Sequence, residues 1–434
     1  MTSTGCVLHV LDHSWPVLSG YSVRSRNLIT AQRRLGQQIL ALTSPLHEID
    51  DANSSDVVVD DVSYLRTPIT GALASSALRR RWPVVREWKT VRLLRDRILQ
   101  LIDSQPVSLV YAHSPALCGL AGLQAARKRG LPFVYEIRAF WEDAAVDQER
   151  TTSTSLRYRL IRGLETYVAR RAEAVTAIAQ PMLDDLRQRG VPAEKLFHVP
   201  NGVDADQFVP LAREKQLARK VGVEDSVVFG FFGSLYRYEG VAWLIRAASV
   251  LHSRGCRFKV LIIGSGEEEA AIRDAIDKHQ AGHYVHTLPR VPHDEIRKYY
   301  SIVDVMVFPR LSVRLTELVT PLKPLEALSL EKSVLASDVG GHRALLEGEK
   351  TALLFRSGDV DDFCRQAERL IASPALRRQL GEEGRNVVLR DWDWKVVAQR
   401  YQRIYEFALQ QKDHSESSYP SQRLELSAGS RRQS

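Results

Sequence analysis

Cysteine is scarce in this chain of 434 residues: Cys6, Cys118, Cys256 and Cys364 stand far apart, with no spacing that fits a bridge or a metal. A disulfide framework and a zinc site are thereby excluded, and the thiols read as small, reduced core residues. Long apolar runs are absent as well. No stretch of about 18 uncharged apolar residues occurs, so no transmembrane helix is expected. The opening MTSTGCVLHVLDH lacks the basic start and the long apolar core of a signal peptide. These absences point to a cytoplasmic protein, for which peripheral attachment to the inner face of the membrane is the remaining membrane option. A glycine fingerprint is missing too. HVLDHSWPVLSG, which spans the first strand and the loop after it, does not supply the G-x-G-x-x-G that an NAD(P)-binding oxidoreductase needs.

Positive charge is what the chain has in excess. The formal net charge is +8, and residues 77–102, ALRRRWPVVREWKTVRLLRDRILQLI, hold eight basic and two acidic residues, a local surplus of +6. Val84, Trp88, Val91, Leu94, Ile98 and Leu101 recur there at spacings of three and four, the period of a helix with one apolar face. Two readings are open: a helix packed on its own domain, or one lying on an anionic membrane, where each basic residue contributes about 1 kcal/mol. No zinc-finger spacing or aromatic RNA-binding signature accompanies the arginines, so no nucleic-acid partner is expected.

With 44% hydrophobic residues the chain can bury a large core, and its length fits about two domains. Short β-branched and apolar runs alternate with helical patterns: VLHVL, ILAL, LVYAH, FVYEI and AVTAI, then, after VPNGVD, VVFGFFG, KVLIIG, DVMVFP and SVLASD. Strands apolar on both faces and separated by helices predict doubly wound parallel sheets, here two in succession. The fold class is therefore α/β, with two facing Rossmann-like domains and an interdomain cleft at the carboxyl ends of the strands. Residues 1–200 form the first domain in this reading and 201–390 the second. Residues 391–411 form a terminal helix that packs back toward the first domain, and the polar residues 412–434 a disordered tail.

The stretch TELVTPLKPLEALSLEKSVLASDVGGHR, residues 316–343, concentrates chemistry where sheet turns to helix. DVMVFPR ends a strand at Arg310, the loop carries Arg314 and Glu317, and Thr320 with Pro321 marks a helix start. Lys323 and Glu326 are three apart and share a helical face. Such a face suits a nucleoside diphosphate, with a carboxylate for the ribose hydroxyls and cations for the phosphates. Elsewhere, Ser19-Gly20-Tyr21 precedes a helix beginning near Val23, and Gly20 is open to two readings, a close approach to a phosphate or an ordinary turn. Gly264-Ser-Gly266 is read as a structural turn, because Glu267, Glu268 and Glu269 would repel a pyrophosphate at the same helix start.

VPNGVDADQF, FGFFGSLYRYEGVAWLIRA, LIIGSGEEE and PLEALSLEKSVLASDVGGHRALLEGEKTALLF, in this order, resemble the family-4 retaining glycosyltransferases of the two-domain GT-B fold. HVLDHSWPVLSGYSVRSRNLITAQRRLG, YEIRAFWEDAA and TELVTPLKPLEA resemble more narrowly the family's exosortase-associated exopolysaccharide branch. The resemblance implies transfer of a hexosyl or N-acetylhexosaminyl group from a nucleoside diphosphate sugar to a hydroxyl of a glycan or polyprenyl-linked acceptor. It also implies retained configuration, front-face departure of the diphosphate, no firmly assigned protein nucleophile, no metal and no cofactor besides the donor. Glu326 matches the ribose-binding glutamate, and Gly20 the glycine loop near the donor phosphates. Thr320, Leu322, Arg237 and Gly233 join them as donor-site candidates. Lys323, Arg310, Glu317 and His113 are the catalytic candidates, with Glu136 and Arg138 toward the acceptor. His113 is equally readable as a structural histidine at a strand end.

The chain departs from the family pattern at three places. Ser234 and Glu239 stand where the family usually places an arginine and a lysine, so the diphosphate must be neutralised by Arg237, Arg310 or Lys323, of which Lys323 and Arg310 are preferred. The paired glutamates are normally eight apart, whereas Glu317 and Glu326 differ by nine and Leu318 holds the expected position. The loop with Ser234 and Glu239 in place of the arginine and lysine also supports the alternative of a noncatalytic sugar- or lipid-binding scaffold. Asp204-Ala-Asp206 and Asp391-Trp-Asp393 mimic a manganese motif and are read as helix or loop caps.

Overall fold

The computed structural model describes residues 5–17, 19–47, 56–59, 62–68, 83–147, 152, 154–292 and 295–417. Runs that are apolar on both faces must be covered on both, and here they assemble into two sheets flanked by helices. The first contains β1 (Cys6–Leu11), β2 (Ile39–Thr43), β3 (Val57–Val59), β4 (Val62–Leu65), β5 (Val107–His113), β6 (Phe133–Ile137), β7 (Ala174–Ala177) and β8 (Leu196–His198). Their spatial order is β3-β4-β2-β1-β5-β6-β7-β8, parallel throughout except for the β3–β4 pair at the edge. The second contains β9 (Val227–Phe232), β10 (Phe258–Ile263), β11 (Val285–Leu288), β12 (Val305–Phe308), β13 (Ser333–Ser337) and β14 (Leu353–Phe355), ordered β11-β10-β9-β12-β13-β14 and wholly parallel. This is the two-domain α/β architecture the strand rhythm predicts.

Alternation along β1 sends Leu8 and Val10 to one core and Val7 to another. The first core is closed by helices Pro83–Ser104, Ala116–Arg129 and Leu156–Arg171, and the second by Gly20–Arg34 and the C-terminal helix Trp394–Ser417. In helix Pro83–Ser104 the residues Val91, Leu94, Ile98 and Leu101 are buried against the first domain, so most of its apolar face is used for packing. Trp88 remains 62% exposed. Arg79, Arg80, Arg81 and Trp82 lie outside the described residues.

Two boundaries differ from expectation. Helix Gly20–Arg34 begins three residues earlier than Val23, because Ser19 and Ser22 form a reciprocal capping box. The terminal helix begins at Trp394 and runs to Ser417, so residues 412–417 are helical; the rest of the tail lies outside the described residues. Both Asp-x-Asp segments serve the backbone. Asp204 Oδ1 accepts from the N–H groups of Asp206 and Gln207, and Asp393 Oδ1 from that of Lys395.

The chain crosses between domains twice, and the crossings are tied together. Val203 N–H donates to Trp392 O at 2.9 Å, and Trp394 N–H to Val203 O at 3.1 Å. Gly202 sits at this joint, where an added Cβ would lie 2.8 Å from Trp394 Cδ2 and 3.1 Å from Trp392 O. Replacing Gly202 with Ala is therefore expected to destabilise the protein by about 1–3 kcal/mol through overpacking. Thermal melting checks this, and a midpoint equal to wild type contradicts it.

Candidate active site

Parallel sheets present the carboxyl ends of their strands to one side, and here the two sheets face each other across a cleft of about 470 Å³. The second domain supplies Gly233, Glu239, Tyr300, Arg310, Lys323 and Glu326 to one wall. Gly20, Tyr21, Arg24, Arg138 and Trp141 form the opposite wall. The nearest atom to a Cβ built at Gly20 is Leu322 Cδ1, at 4.0 Å, so the glycine loop looks straight at the second domain. Asn201 joins the walls, its Nδ2 donating to Thr320 O at 2.7 Å. Arg314 does so further out, reaching Asp143 and Asp185 of the first domain at 2.7 Å each.

On the second-domain wall, Glu239 holds two cations. Gly240, at φ +73° and pressed against Pro309 O, turns the chain so that Glu239 lies beneath Arg310. Arg310 donates through Nε to Oε2 at 3.2 Å and through Nη2 to Oε1 at 2.9 Å, and Lys323 Nζ is 3.7 Å from Oε1. Burial pushes the Glu239 carboxyl up, but Arg310 and Lys323 overcome it and hold the pKa at about 2. A third Arg310 N–H goes to Val319 O, which leaves two of its five for a ligand. Lys323 passes over Gly233, where any side chain would collide with its ammonium. Glu326 accepts from Tyr300 Oη at 3.2 Å. Burial raises its carboxyl to about 7, against the opposing pull of the Tyr300 hydroxyl and Lys323.

The first-domain wall has the same design. Glu136 is fully buried; its Oε1 receives Arg138 Nε at 2.7 Å and Arg24 Nε at 3.3 Å, and its Oε2 receives Tyr111 Oη at 2.6 Å and Tyr401 Oη at 2.8 Å. Burial works against its ionisation, yet Arg24 and Arg138 keep its pKa well below the usual carboxylate range. His113 stands behind Arg138, with Nδ1 2.7 Å from Nη2. A guanidinium can only donate, so Nδ1 accepts and the proton sits on Nε2, 3.0 Å from His9 Nδ1. Burial and the Arg138 charge lower the His113 pKa to about 4, so the imidazole is neutral.

These positions correct four expectations. His113 and Glu136 are fully buried and do not line the cleft; they hold Arg138, which does. Their strand-end position is right, but their side chains turn into the core between β5, β6 and the terminal helix. Glu317 lies outside the cleft lining: Oε2 accepts from Gly340 N–H at 2.7 Å and Oε1 from Ser312 Oγ at 2.7 Å, which ties the loop to the turn after β13. Arg237 is exposed on the short turn Arg237–Glu239 and does not line the cleft either. Lys323, Arg310, Glu326, Gly20, Thr320, Leu322, Gly233 and Arg138 do line it. Sequence reasoning missed Arg24, although it stands one helical turn after Gly20 on the same face. It also missed Tyr300 and the pairing of Glu239 with Arg310, which join segments 26 and 71 residues apart and leave no local signal.

Two facing Rossmann-like domains with cations and a carboxylate converging in the cleft form the architecture of the GT-B class. Residues 19–202 match the model of the glycosyl transferase 4-like domain, and residues 212–387 that of glycosyl transferases group 1. The 2-deoxystreptamine glucosyltransferase of Streptomyces kanamyceticus is 27% identical over 305 residues, 69% of this chain and 71% of that one. Among solved structures, sucrose-phosphate synthase from Thermosynechococcus elongatus superposes with a TM-score of 0.73 at 18% identity, covering 93% of this chain and 98% of the other. HepE of Anabaena in complex with UDP gives 0.68 at 17% identity, covering 92% and 99%. The chain belongs to the family-4 glycosyltransferases.

Glu239→Ala would leave Arg310 buried without its counter-charge, and a loss of about 3–5 kcal/mol is expected in chemical denaturation. Glu239 titrates below its ordinary value, so its contribution is complete above about pH 4.5 and fades as pH falls toward about 2. A Glu239→Ala midpoint equal to wild type at neutral pH contradicts the assignment.

Proposed function

We propose that the protein transfers a hexosyl or N-acetylhexosaminyl group from a nucleoside diphosphate sugar to a hydroxyl of a polyprenyl-linked glycan, with retention, in surface or exopolysaccharide assembly. The observation that carries the donor part is the convergence of Glu326, Lys323 and Arg310 on one cleft wall, opposite Gly20. In this reading Glu326 accepts hydrogen bonds from the ribose hydroxyls, while Lys323 and the two remaining Arg310 N–H groups meet the diphosphate. Arg310, Lys323 and Glu239 together carry one net positive charge, and so do Arg24, Arg138 and Glu136 opposite. A leaving diphosphate that gains negative charge as the glycosidic bond breaks is stabilised by such fixed cations. Arg138, backed by neutral His113, faces the acceptor side. The likeness to the exosortase-associated branch and the UDP complex of the structurally similar HepE support the substrate classes.

Glu326→Ala should lower kcat/KM for the donor by about tenfold or more, the loss of charge-assisted hydrogen bonds. Ribose hydroxyls favour the ionised carboxylate, so nucleotide affinity should rise with pH up to about 7 and level off above it. Glu326→Gln should flatten that profile. Unchanged donor kinetics in a folded Glu326→Ala variant would sink the assignment. Because protein cations stabilise the leaving group, excess EDTA should leave turnover intact. Activity lost to EDTA and restored by manganese contradicts this mechanism.

A further inference from the structure

Helix Leu156–Arg171 carries its apolar residues on two opposite sides. Tyr158, Glu165, Val168 and Ala169 form the buried side. Leu156, Leu160, Gly163 and Tyr167 follow each other at spacings of four, three and four, which sets them on one stripe directly opposite. Leu156 is 73% exposed, Leu160 64% and Tyr167 43%, and a Cβ built at Gly163 meets nothing within 4 Å. A solvent-facing side of a globular helix is ordinarily polar. Four exposed arginines flank the stripe, Arg157, Arg159, Arg170 and Arg171, while the helix's one acid, Glu165, is buried and hydrogen-bonded to Tyr135.

The topology sets this surface beside the cleft. In a parallel sheet, a helix leading into the next strand starts at the carboxyl edge of the sheet, the edge that faces the cleft. The starts of helices Pro83–Ser104, Ala116–Arg129 and Leu156–Arg171 therefore lie at that edge, which brings exposed Trp88 and half-buried Leu117 and Leu120 to the same end as Leu156. Trp141, 39% exposed, lines the cleft, and its helix is joined to the stripe's helix by Tyr158 Oη donating to Asp143 Oδ1 at 2.8 Å.

We propose that the stripe Leu156–Leu160–Tyr167 with its flanking arginines is a docking surface for an anionic phospholipid membrane, which brings the cleft mouth at Trp141 to the bilayer. An apolar stripe whose exposed charged neighbours on the helix are all cations complements an interface of acyl chains under anionic headgroups. Helix Pro83–Ser104, its apolar face largely consumed in the core, contributes exposed Trp88 to this surface. The proposal deepens the lipid-linked acceptor reading, and its test is independent of turnover.

Cosedimentation compares vesicles of phosphatidylcholine with vesicles that also contain phosphatidylglycerol. Wild type should bind the anionic vesicles at low salt, release with added salt and ignore the neutral ones. The double variant L156S/L160S should lose partitioning by about tenfold or more. Arg157→Gln with Arg159→Gln should weaken it as well, and Val58→Ser, an exposed apolar residue on β3, should leave it unchanged. Circular dichroism establishes that the variants fold. Wild type ignoring anionic vesicles overturns the proposal, as does equal binding by L156S/L160S. Self-association of wild type that L156S/L160S abolishes, without vesicle binding, would assign the stripe to a second copy. An enzyme that turns over donor yet ignores vesicles loses only this surface; one that binds vesicles without turnover loses only the enzymatic reading.

Discussion

One buried carboxylate, Glu136, organises the first-domain half of the cleft. Arg24 and Arg138 both line the cleft, and neither could stay beside the core without a counter-charge, because an unpaired buried cation is prohibitively costly. Glu136 supplies that charge and takes two tyrosine hydroxyls besides, one of them from Tyr401 on the C-terminal helix. The wall is thus finished only when helix Trp394–Ser417 packs back. Arg24 extends the same network to the crossover, donating through Nη1 to Pro200 O at 3.0 Å and to Asn201 Oδ1 at 2.8 Å.

Asn201 then hands the connection to the second domain. Its Oδ1 faces Arg24 while its Nδ2 holds Thr320, on the loop that leads to Lys323 and Glu326. A continuous line of hydrogen bonds therefore runs from Glu136 through Arg24 and Asn201 to the loop before helix Lys323–Ser329. The second wall repeats the device with Glu239 between Arg310 and Lys323. In both halves the cations that face the cleft are fixed from behind by a carboxylate that the cleft does not reach or barely touches. Cations positioned in advance need no reorganisation when charge develops on a substrate.

The architecture was legible because parallel strands buried on both faces leave continuous apolar runs, and nine such runs stand out. The strands that escaped, β3, β4, β8, β11 and β14, are three or four residues long and only partly buried, so they carry no continuous apolar run, whereas the equally short β7 and β12 are buried at every position. Lys323 and Glu326 were legible because helical spacing alone sets them on one face. Glu317 misled because its charge and loop position suit a ligand, whereas the fold spends it on Gly340 N–H. His113 and Glu136 misled in the same way: a strand end fixes where a backbone stops, not which way its last side chains turn. Glu239 was legible only as a misfit in a cationic loop. Its meaning needed Arg310, 71 residues further on, brought beside it by the β9–β12 pairing.

The central claim is that this cleft uses its fixed cations to move a sugar from a nucleotide donor with retained configuration. The most direct measurement follows the anomeric signal by NMR while wild type is incubated with UDP-, GDP- and ADP-linked sugars. The account predicts turnover of at least one donor and a first-formed product with the anomeric configuration of that donor. A first-formed product of inverted configuration, or no consumption of any nucleotide sugar by folded protein given lipid-linked acceptors, contradicts it.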